Sequence, residues 1–338
     1  MANIVTIAGT GIAGYSGDNG PATAARLSNP FGLALGPDGA LYFCEIDNHC
    51  IRRLDLATQT LSTFVGTGNM GYTGDGGPAR EATLNQPYEI CFDAGGHLFI
   101  VEMENHLIRR RDAITGLIST IAGLGAPGFS GDAGPAIEAH LHRPHSITLD
   151  GRGSLYVADI GNHRIRRVDL ASGLIETFAG TGEQAPTPHG APIAGTALNG
   201  PRALAFDAAG DMIVALREGN AVYRIAMASA TYQHVAGNGH KGTAGDGGPA
   251  ITAELSGPKG VAVAPDGAIV IADTESHTIR RINPSGTITT VAGDGQPHDG
   301  PDGDPLSCGL GRPHGVGVGE AGAIYIGDSE NHRVRLLT

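Results

Sequence analysis

Residues 141–180 read LHRPHSITLDGRGSLYVADIGNHRIRRVDLASGLIETFAG, and this stretch decides the fold. It contains a short apolar run, a glycine-rich turn, a second apolar run, a polar loop and two further runs. Short apolar runs separated by glycine and polar residues are typical of strands joined by tight turns. The stretch therefore predicts four consecutive antiparallel strands, which make one blade of a β-propeller.

The same pattern recurs along the whole chain of 338 residues. Successive copies are 57 residues apart, except for the last spacing of 55. Each copy begins with a leucine followed closely by proline, at Leu27, Leu84, Leu141, Leu198, Leu255 and Leu310. Because a fixed period of this length indicates a repeat architecture, we predict a single domain over residues 1–338 with six blades.

The sixth copy ends at RVRLLT, after its third strand. Residues 4–9, IVTIAG, match the fourth strands ISTIAG and IETFAG that begin at Ile118 and Ile175. We therefore expect the N-terminal strand to complete the sixth blade and close the ring, which removes strand edges that would invite aggregation. The fold class is all-β, a six-bladed β-propeller with four antiparallel strands per blade.

Charge and composition restrict the partners. With 34 acidic and 22 basic residues the net charge is −12, which disfavours a nucleic-acid partner. No apolar run approaches the about 20 residues of a membrane-spanning helix, and the first residues do not resemble a secretion signal. The cysteines show no paired framework. We expect a cytoplasmic protein that binds a small molecule, while the oligomeric state stays open.

Residues that recur in most copies are expected to build the blade. We expect the histidine of the NHR loop to tie the loop between the second and third strands. It occurs at His49, His106, His163, His277 and His332. The arginine pairs at Arg52/Arg53, Arg109/Arg110, Arg166/Arg167 and Arg280/Arg281 are interpreted as ties between blades. Asp18, Asp75, Asp132 and Asp246 of the GD-x-GPA segment suit a turn or a helix start, with calcium binding as the alternative.

Departures from the repeat are candidates for function. The residue after the proline begins a strand beside the central channel, and it differs between blades as Phe31, Tyr88, His145, Arg202, Lys259 and His314. A purely structural channel more often has small or apolar residues at such positions. This ring of side chains therefore predicts a site at the mouth of the channel.

Three residues of this region are candidate metal ligands. His145 and His314 lie in opposite blades, and imidazole is a common metal ligand with a long reach. Glu89 stands where the other copies have glycine, serine or alanine, so we predict it as the third ligand. The ion would be divalent, as zinc, iron, manganese or calcium. The alternative is two independent histidines bonded to water or backbone.

Further acids and bases complete the predicted site. Glu45 and Glu102 end second strands where three other copies have aspartate, and the extra methylene is expected to carry them towards the mouth. We predict Glu102 or Tyr88 as the proton-transfer group. Arg202 and Lys259, with Glu45, would bind the substrate, because arginine orients carboxylates and phosphates. The alternative is a set of salt bridges across the mouth.

Three segments carry a resemblance to a known family. NHRIRRVD at 162–169, NHRVRLL at 331–337 and GDGGPA at 74–79 and 245–250 resemble NHL repeats over the whole chain. The resemblance implies a six-bladed propeller. It implies no single function, because NHL propellers include enzymes, extracellular modules and domains that bind RNA or protein.

Two enzyme families resemble the chain in architecture. The segments around His145 and His314, PHS and PHG, are similar to the zinc-binding histidine segments of peptidylamidoglycolate lyases, which use three histidines where only two match here. The gluconolactonase and regucalcin family holds one divalent ion by carboxylate and asparagine ligands, and its Glu-Gly-Pro and Asn-Gly-Leu segments are not found here.

Two functions follow as hypotheses. The first is a metal-dependent hydrolase or lyase, lactonase-like, acting on a small anionic substrate at the channel mouth. The second is a non-catalytic NHL propeller that binds a protein or peptide. A flat apolar patch at the mouth, in place of the polar ring, would favour this second hypothesis.

Overall fold

The computed structural model describes residues 2–338, whose strands form six separate antiparallel sheets. Blade one contains Pro30–Leu35, Leu41–Glu45, Cys50–Asp55 and Thr60–Val65, with Gly20–Pro21 outside. Blade two contains Pro87–Phe92, Leu98–Glu102, Leu107–Arg111 and Ile118–Ala122. Blade three contains Ser146–Leu149, Ser154–Asp159, Arg164–Asp169 and Leu174–Ala179, with Gly134–Pro135 outside.

The remaining blades repeat this order. Blade four contains Pro201–Phe206, Met212–Leu216, Ala221–Ala226 and Thr231–Ala236. Blade five contains Pro258–Val263, Ile269–Asp273, Thr278–Ile282 and Ile288–Ala292. Blade six contains Val316–Val318, Ile324–Asp328, Arg333–Leu337 and, as its fourth strand, Ile4–Ala8. The first strands of neighbouring blades contact one another, and the first strand of blade six contacts that of blade one, so the ring is closed.

The predicted closure by the N-terminal strand is confirmed. Ile4 pairs with Leu337 in the antiparallel register, and its side chain is completely buried in the core of the last blade. Short 3₁₀ helices occur at Ala22–Ala24, Ala79–Glu81, Ala136–Glu138, Ile160–Asn162, Ala250–Thr252, Thr274–Ser276 and Pro305–Ser307. Within residues 2–338 no helix combines the length and the apolar character needed to cross a membrane.

A buried arginine organises five of the six blades. In blade one the Arg52 side chain is fully buried, and its Nη1 lies 2.6 Å from Glu45 Oε1 at the end of the second strand. Its Nη2 lies 2.9 Å from Asp18 Oδ1 in the connector that precedes the blade. The equivalent arginines are Arg109, Arg166, Arg280 and Arg335. Each joins strands and connector of one blade, so the interpretation of these arginines as ties between blades is wrong.

The aspartates of the GD-x-GPA segments are the other half of this network. A short helix does follow the segment, as predicted, but its N-cap in blade one is Pro21, without a side-chain hydrogen bond. Asp18 and its counterparts instead pair with the buried arginine. A carboxylate is required there because a buried guanidinium without a partner is strongly destabilising.

The NHR histidines join neighbouring blades. His332 has φ +53°, and its Nδ1 accepts a hydrogen bond of 3.2 Å from the backbone N–H of Asn29, across the closure of the ring. His49, His106 and His277 make the same bond to the blade that follows. In blade four Asn220 replaces the histidine and bonds Gly257 in the same way. The structural role is confirmed for these four histidines, although they connect blades rather than only their own loops. His163 does not make this bond, since its Nδ1 is buried without a hydrogen-bond partner among the described residues.

Removal of one buried arginine tests the network. Arg166→Ala leaves Asp159, which is also fully buried, without its cation, so we expect the free energy of unfolding to fall by about 3–5 kcal/mol in denaturant titrations. The neighbouring Arg167 is 38% exposed and pairs with Glu176 at the surface. Arg167→Ala is the matched control and should cost less than about 1 kcal/mol. Equal losses in the two variants would contradict a structural role for the buried network.

Candidate functional site

The six residues that follow the repeat prolines meet at one end of the channel. Each of the six is at most 8% exposed, and they are Phe31, Tyr88, His145, Arg202, Lys259 and His314. We call these six side chains the mouth layer. Each contacts at least one other member, so the prediction that the six blades bring these positions together is confirmed.

Aromatic packing holds the layer together. The Phe31 ring stacks on the His314 imidazole with centroids 3.9 Å apart, and it meets Tyr88 edge-on at 4.9 Å. Tyr88 in turn packs edge-on against His145 at 4.4 Å. Contacts of this kind restrict the rotation of both imidazoles.

A cavity of about 680 Å³ opens on this layer and is called the mouth cavity. Its walls include Phe31, Tyr88, His145, Arg202 and His314 of the layer. Around them lie residues of the loops, among which are His142, Arg143, His163, Gln184, Arg217 and Glu218. The volume is within the range of small-molecule sites.

Both histidines of the layer are held as neutral imidazoles of one tautomer. His145 Nδ1 lies 2.6 Å from the Arg143 carbonyl and His314 Nδ1 lies 2.8 Å from the Arg312 carbonyl, so each Nδ1 donates a proton. Burial lowers the pKa of both imidazoles well below the usual value, and Arg202 beside His145 and Lys259 beside His314 lower it further. Their Nε2 atoms therefore carry lone pairs at neutral pH.

Arg202 is the unusual cation of the site. It donates to the Tyr88 hydroxyl, and its guanidinium carbon lies 4.8 Å from the centre of the Tyr88 ring. Its Nε is buried without a hydrogen-bond partner, and no carboxylate within residues 2–338 lies within 4.0 Å of the guanidinium. Burial lowers the pKa of Arg202. Because each blade arginine described above is matched by carboxylates, Arg202 has a place for an anion that the protein does not fill.

Lys259 is occupied by protein groups. Its Nζ lies 2.7 Å from Glu275 Oε1 and 3.4 Å from His314 Nε2. Burial lowers the pKa of Lys259 to about 8. Burial alone would raise the pKa of Glu275, but hydrogen bonds from Lys259 and Arg312 outweigh it and lower the value to about 2. These contacts hold Lys259 against Glu275 and His314 rather than leaving it free for a substrate.

Sequence reasoning missed Glu275. An acid stands two residues before the NHR-loop histidine, or its replacement, in five copies, as Asp47, Glu104, Glu218, Glu275 and Glu330. Blade three has Gly161 instead, and a Cβ there would lie 2.6 Å from the His142 carbonyl oxygen. This repeated acid could have been recognised from the sequence. Glu104 and Glu275 pair with Arg143 and Arg312, the arginines that precede the proline of the next blade, and so form an acidic rim.

Glu45 and Glu102 do not reach the mouth, so the prediction that they gather there is wrong. Both are completely buried within their blades, where Glu45 pairs with Arg52 at 2.6 Å and Glu102 pairs with Arg109 at 3.3 Å. Burial raises the pKa of Glu102 to about 7, although Arg109 lowers it. The aspartates at this position pair with the same buried arginine, Asp159 at 3.8 Å and Asp328 at 3.0 Å, so glutamate and aspartate serve the same role here.

Glu89 does not join the histidines either. It lies against the first strand of blade one, because a Cβ on Gly32 would fall on its carboxylate, and it does not line the mouth cavity. In the described part of the chain no group of three His, Cys, Asp or Glu side chains is placed to hold a metal ion. The predicted set of His145, His314 and Glu89 is therefore not assembled, because both histidines line the mouth cavity whereas Glu89 does not.

Glu89 is nevertheless an unusual carboxyl. Burial raises its pKa to about 8, and the hydrogen bond from the Ile90 N–H, at 3.2 Å, offsets only part of this effect. A raised pKa in the folded state means that the protonated form stabilises the fold. This contribution is complete below the ordinary pKa of 4.5 and is lost as the pH rises to about 8.

Glu89→Gln tests this directly. The amide cannot ionise, so the free energy of unfolding of the variant should exceed that of the wild type by about 3–5 kcal/mol at pH 8.5. At pH 4.5 the two proteins should differ little. Denaturant titrations at both pH values measure the difference, with the exposed Glu320→Gln as the control. A stability difference independent of pH would contradict the assignment.

Comparison with known proteins identifies the repeat. The family model described as NHL repeat matches residues 141–168 and 310–335, and the model described as Teneurin NHL domain matches residues 217–311. The chain is a six-bladed β-propeller that contains NHL repeats. The matched segments include the loops and third strands that carry the NHR histidines and buried arginines.

Two curated relatives extend the match. The NHL propeller is 32% identical over 172 residues to the chloroplastic protein SUPPRESSOR OF QUENCHING 1 of Arabidopsis thaliana, covering 48% of this chain and 16% of the relative. It is 26% identical over 286 residues to human NHL repeat-containing protein 2, covering 76% of this chain and 39% of the relative. The chain thus spans less than half the length of these relatives.

Solved structures share the fold. A structural genomics protein of unknown function from Bacteroides thetaiotaomicron gives a TM-score of 0.74 at 18% identity, over 100% of this chain and 76% of that chain. A putative gluconolactonase gives 0.60 at 14% identity, over 99% and 91%. A catalytically inactive histidine-to-alanine variant of virginiamycin B lyase from Staphylococcus aureus, with quinupristin, gives 0.56 at 14% identity, over 100% and 99%.

Proposed function

We propose that this NHL propeller is a hydrolase or lyase that acts on a small anionic molecule bound in the mouth cavity. The observation that carries the proposal is Arg202, a buried guanidinium that faces this cavity and has no carboxylate partner within residues 2–338. An anionic group of the substrate would supply the missing charge and accept a hydrogen bond from the guanidinium.

The charges around the cavity favour the same ligand. Arg143 is paired with Glu104 at 2.8 Å and Arg217 is paired with Glu218 at 2.6 Å, so these two cations are largely compensated. Arg202 adds an uncompensated positive charge to a protein whose net charge is −12. A local cationic site in an acidic protein directs small anions to this position.

His145 is suited to take a proton in the reaction. Its Nδ1–H is held by the Arg143 carbonyl, which leaves the Nε2 lone pair for a proton from substrate carbon in a lyase, or from water in a hydrolase. Arg202 lowers the pKa of this imidazole in the free protein. An anion bound to Arg202 would offset that charge and raise the pKa, so the base would strengthen when substrate is present.

Tyr88 completes the chemistry. Its hydroxyl accepts from Arg202, so its own proton can be donated to an oxygen of the substrate on which negative charge develops. The pKa of Tyr88 is raised by burial although Arg202 lowers it, which keeps the hydroxyl protonated at neutral pH. Because the three predicted metal ligands do not converge, the proposed steps are assigned to protein side chains alone.

The solved relatives support this class of reaction. One is described as a putative gluconolactonase, and a histidine-to-alanine variant of another, a lyase, is catalytically inactive. Both align over nearly the whole of this chain. A flat apolar patch at the mouth would favour the alternative of a protein-binding propeller, whereas the mouth is a concave cavity whose walls combine charged groups with apolar ones such as Ile46 and Met103.

Two substitutions separate binding from chemistry. Arg202→Gln should weaken binding of gluconate, used as a carboxylate probe in calorimetry, by at least about tenfold, because it removes a charged hydrogen bond. Arg224→Gln, on the third strand of the same blade, is the matched control and should bind as the wild type does. Unchanged gluconate affinity in Arg202→Gln would contradict the proposal.

His145→Ala addresses turnover. We expect it to keep the carboxylate affinity but to lower kcat by about a hundredfold or more on whichever sugar-acid lactone or hydroxy acid the wild type converts in a substrate screen. Activity should also fall at low pH, as the imidazole becomes protonated. Full activity in His145→Ala would remove this histidine from the reaction.

A further inference from the structure

The two halves of the ring differ at one repeat position near the mouth. The residue directly after the second strand is apolar in blades one to three and polar in blades four to six. In chain order these residues are Ile46, Met103, Ile160, Arg217, Thr274 and Ser329. Because all blades share one template, this division gives one half of the ring a different chemistry from the other.

The hydroxyl residues of blades five and six are explained by the ring itself. Thr274 Oγ1 donates to the Pro313 carbonyl and Ser329 Oγ donates to the Pro30 carbonyl, both at 2.7 Å. Each hydroxyl joins its blade to the next one, and both residues are completely buried and do not line the mouth cavity. Isoleucine and methionine cannot make such a bond, so the apolar residues need a different explanation.

The three apolar residues keep accessible surface inside the mouth cavity. Ile46 is 7% exposed, Met103 4% and Ile160 8%, and all three line this cavity. Ile46 and Met103 belong to one apolar cluster with Phe31 and Tyr88, which line the cavity as well. We call these five side chains the apolar wall. It extends over blades one to three.

Ile160 is the least packed member of the apolar wall. Among residues 2–338 it belongs to none of the apolar clusters that fill the blades. The acid of the repeat is also missing beside it, because Gly161 takes that position. A ligand that covers Ile160 would therefore bury apolar surface that the protein itself leaves without an apolar partner.

The apolar wall adjoins the anion site directly. Arg202 donates to the hydroxyl of Tyr88, and its guanidinium carbon lies 4.8 Å from the centre of the Tyr88 ring. The cavity residues Arg143 and Gln184 of the loops are exposed, so these polar groups lie towards solvent. A ligand whose carboxylate binds Arg202 therefore has apolar surface immediately beside that carboxylate.

We propose that the substrate is an amphipathic carboxylate. Its anionic group binds Arg202, and its alkyl or aryl part packs against the apolar wall. The alkyl side chains of the wall offer neither donors nor acceptors, so hydroxyl groups on this part of a ligand would lose their hydrogen bonds with water. This assignment of a substrate class rests on the proposed function, because it uses Arg202 as the anion anchor.

Three probes of equal chain length test the assignment. Hexanoate and gluconate are carboxylates on the same six-carbon skeleton, and gluconate adds hydroxyl groups. Hexanamide keeps the alkyl chain but lacks the charge. In calorimetry with the whole chain we expect hexanoate to bind at least about tenfold more tightly than either of the others, because gluconate must desolvate its hydroxyl groups and hexanamide loses a charged hydrogen bond.

The heat capacity change gives a second readout on the same samples. Burial of apolar surface makes the heat capacity change of binding negative. We therefore expect a more negative value for hexanoate than for gluconate. Equal values for the two carboxylates would contradict contact with the apolar wall.

A substitution in the apolar wall gives the second arm. Ile160 begins the short helix Ile160–Asn162, and Thr274 begins the equivalent helix Thr274–Ser276 of blade five, so Ile160→Thr introduces a residue that the repeat already accepts there. We expect the preference for hexanoate over gluconate to fall by at least about threefold. Ile137→Thr is the matched control, because Ile137 is 54% exposed and does not line the mouth cavity. It should keep the full preference.

The outcomes separate the two proposals. If hexanoate and gluconate bind equally and Ile160→Thr leaves their ratio unchanged, while Arg202→Gln weakens both, the assignment of an amphipathic substrate fails and the anion site stands. If Arg202→Gln changes the affinity of neither carboxylate, the proposed function fails as well. The comparison of the three probes on the wild type decides the assignment even if Ile160→Thr does not fold.

Discussion

The buried ion network of arginine and carboxylates is the constraint on which the blades depend. A guanidinium inside a blade must be paired, and the pairing draws the second strand, the third strand and the preceding connector into one arrangement. In blade one this means that Arg52 fixes both Glu45 and Asp18. The repeated residues are therefore consequences of one electrostatic requirement, while four of the NHR histidines and Asn220 carry contacts from one blade to the next.

The same requirement explains why Arg202 and blade four stand apart. Arg202 is as buried as the rest of the mouth layer, yet its nearest polar partner is a tyrosine hydroxyl. Blade four satisfies the rule in the opposite way, because it replaces the cation, both carboxylates and the asparagine together, by Tyr223, Leu216, His189 and Gly219. The departure at Arg202 leaves a charge without a carboxylate partner, and the departure in blade four leaves a cavity beside Gly219. Glu218 lines both this cavity and the mouth cavity.

Much of the architecture could be predicted from the sequence because it is periodic. The spacing of the leucines predicted the six blades, and the match of residues 4–9 to other fourth strands predicted the closure. The mouth layer was also predictable, since the position after the proline is equivalent in every copy. These predictions needed only the register of a repeat, which a single sequence contains.

The roles of individual acids could not be predicted in this way. Glu45 and Glu102 differ from aspartate by one methylene, and only the position of the opposing arginine shows that their carboxylates pair within the blade. Glu89 was placed near the histidines by strand position, but metal binding depends on distances across the channel. The cavity beside Gly219 in blade four arises because larger repeat side chains are missing there, and a sequence motif gives no direct signal for a missing side chain.

The central claim is that Arg202 is an anion anchor and not merely a packed part of the mouth layer. The most direct measurement is a high-resolution crystal structure of the chain soaked with glycolate. We expect a carboxylate oxygen within hydrogen-bond distance of a guanidinium nitrogen of Arg202, with the Tyr88 contact retained. Glycolate bound elsewhere, with water or a protein carboxylate at Arg202, would contradict the claim.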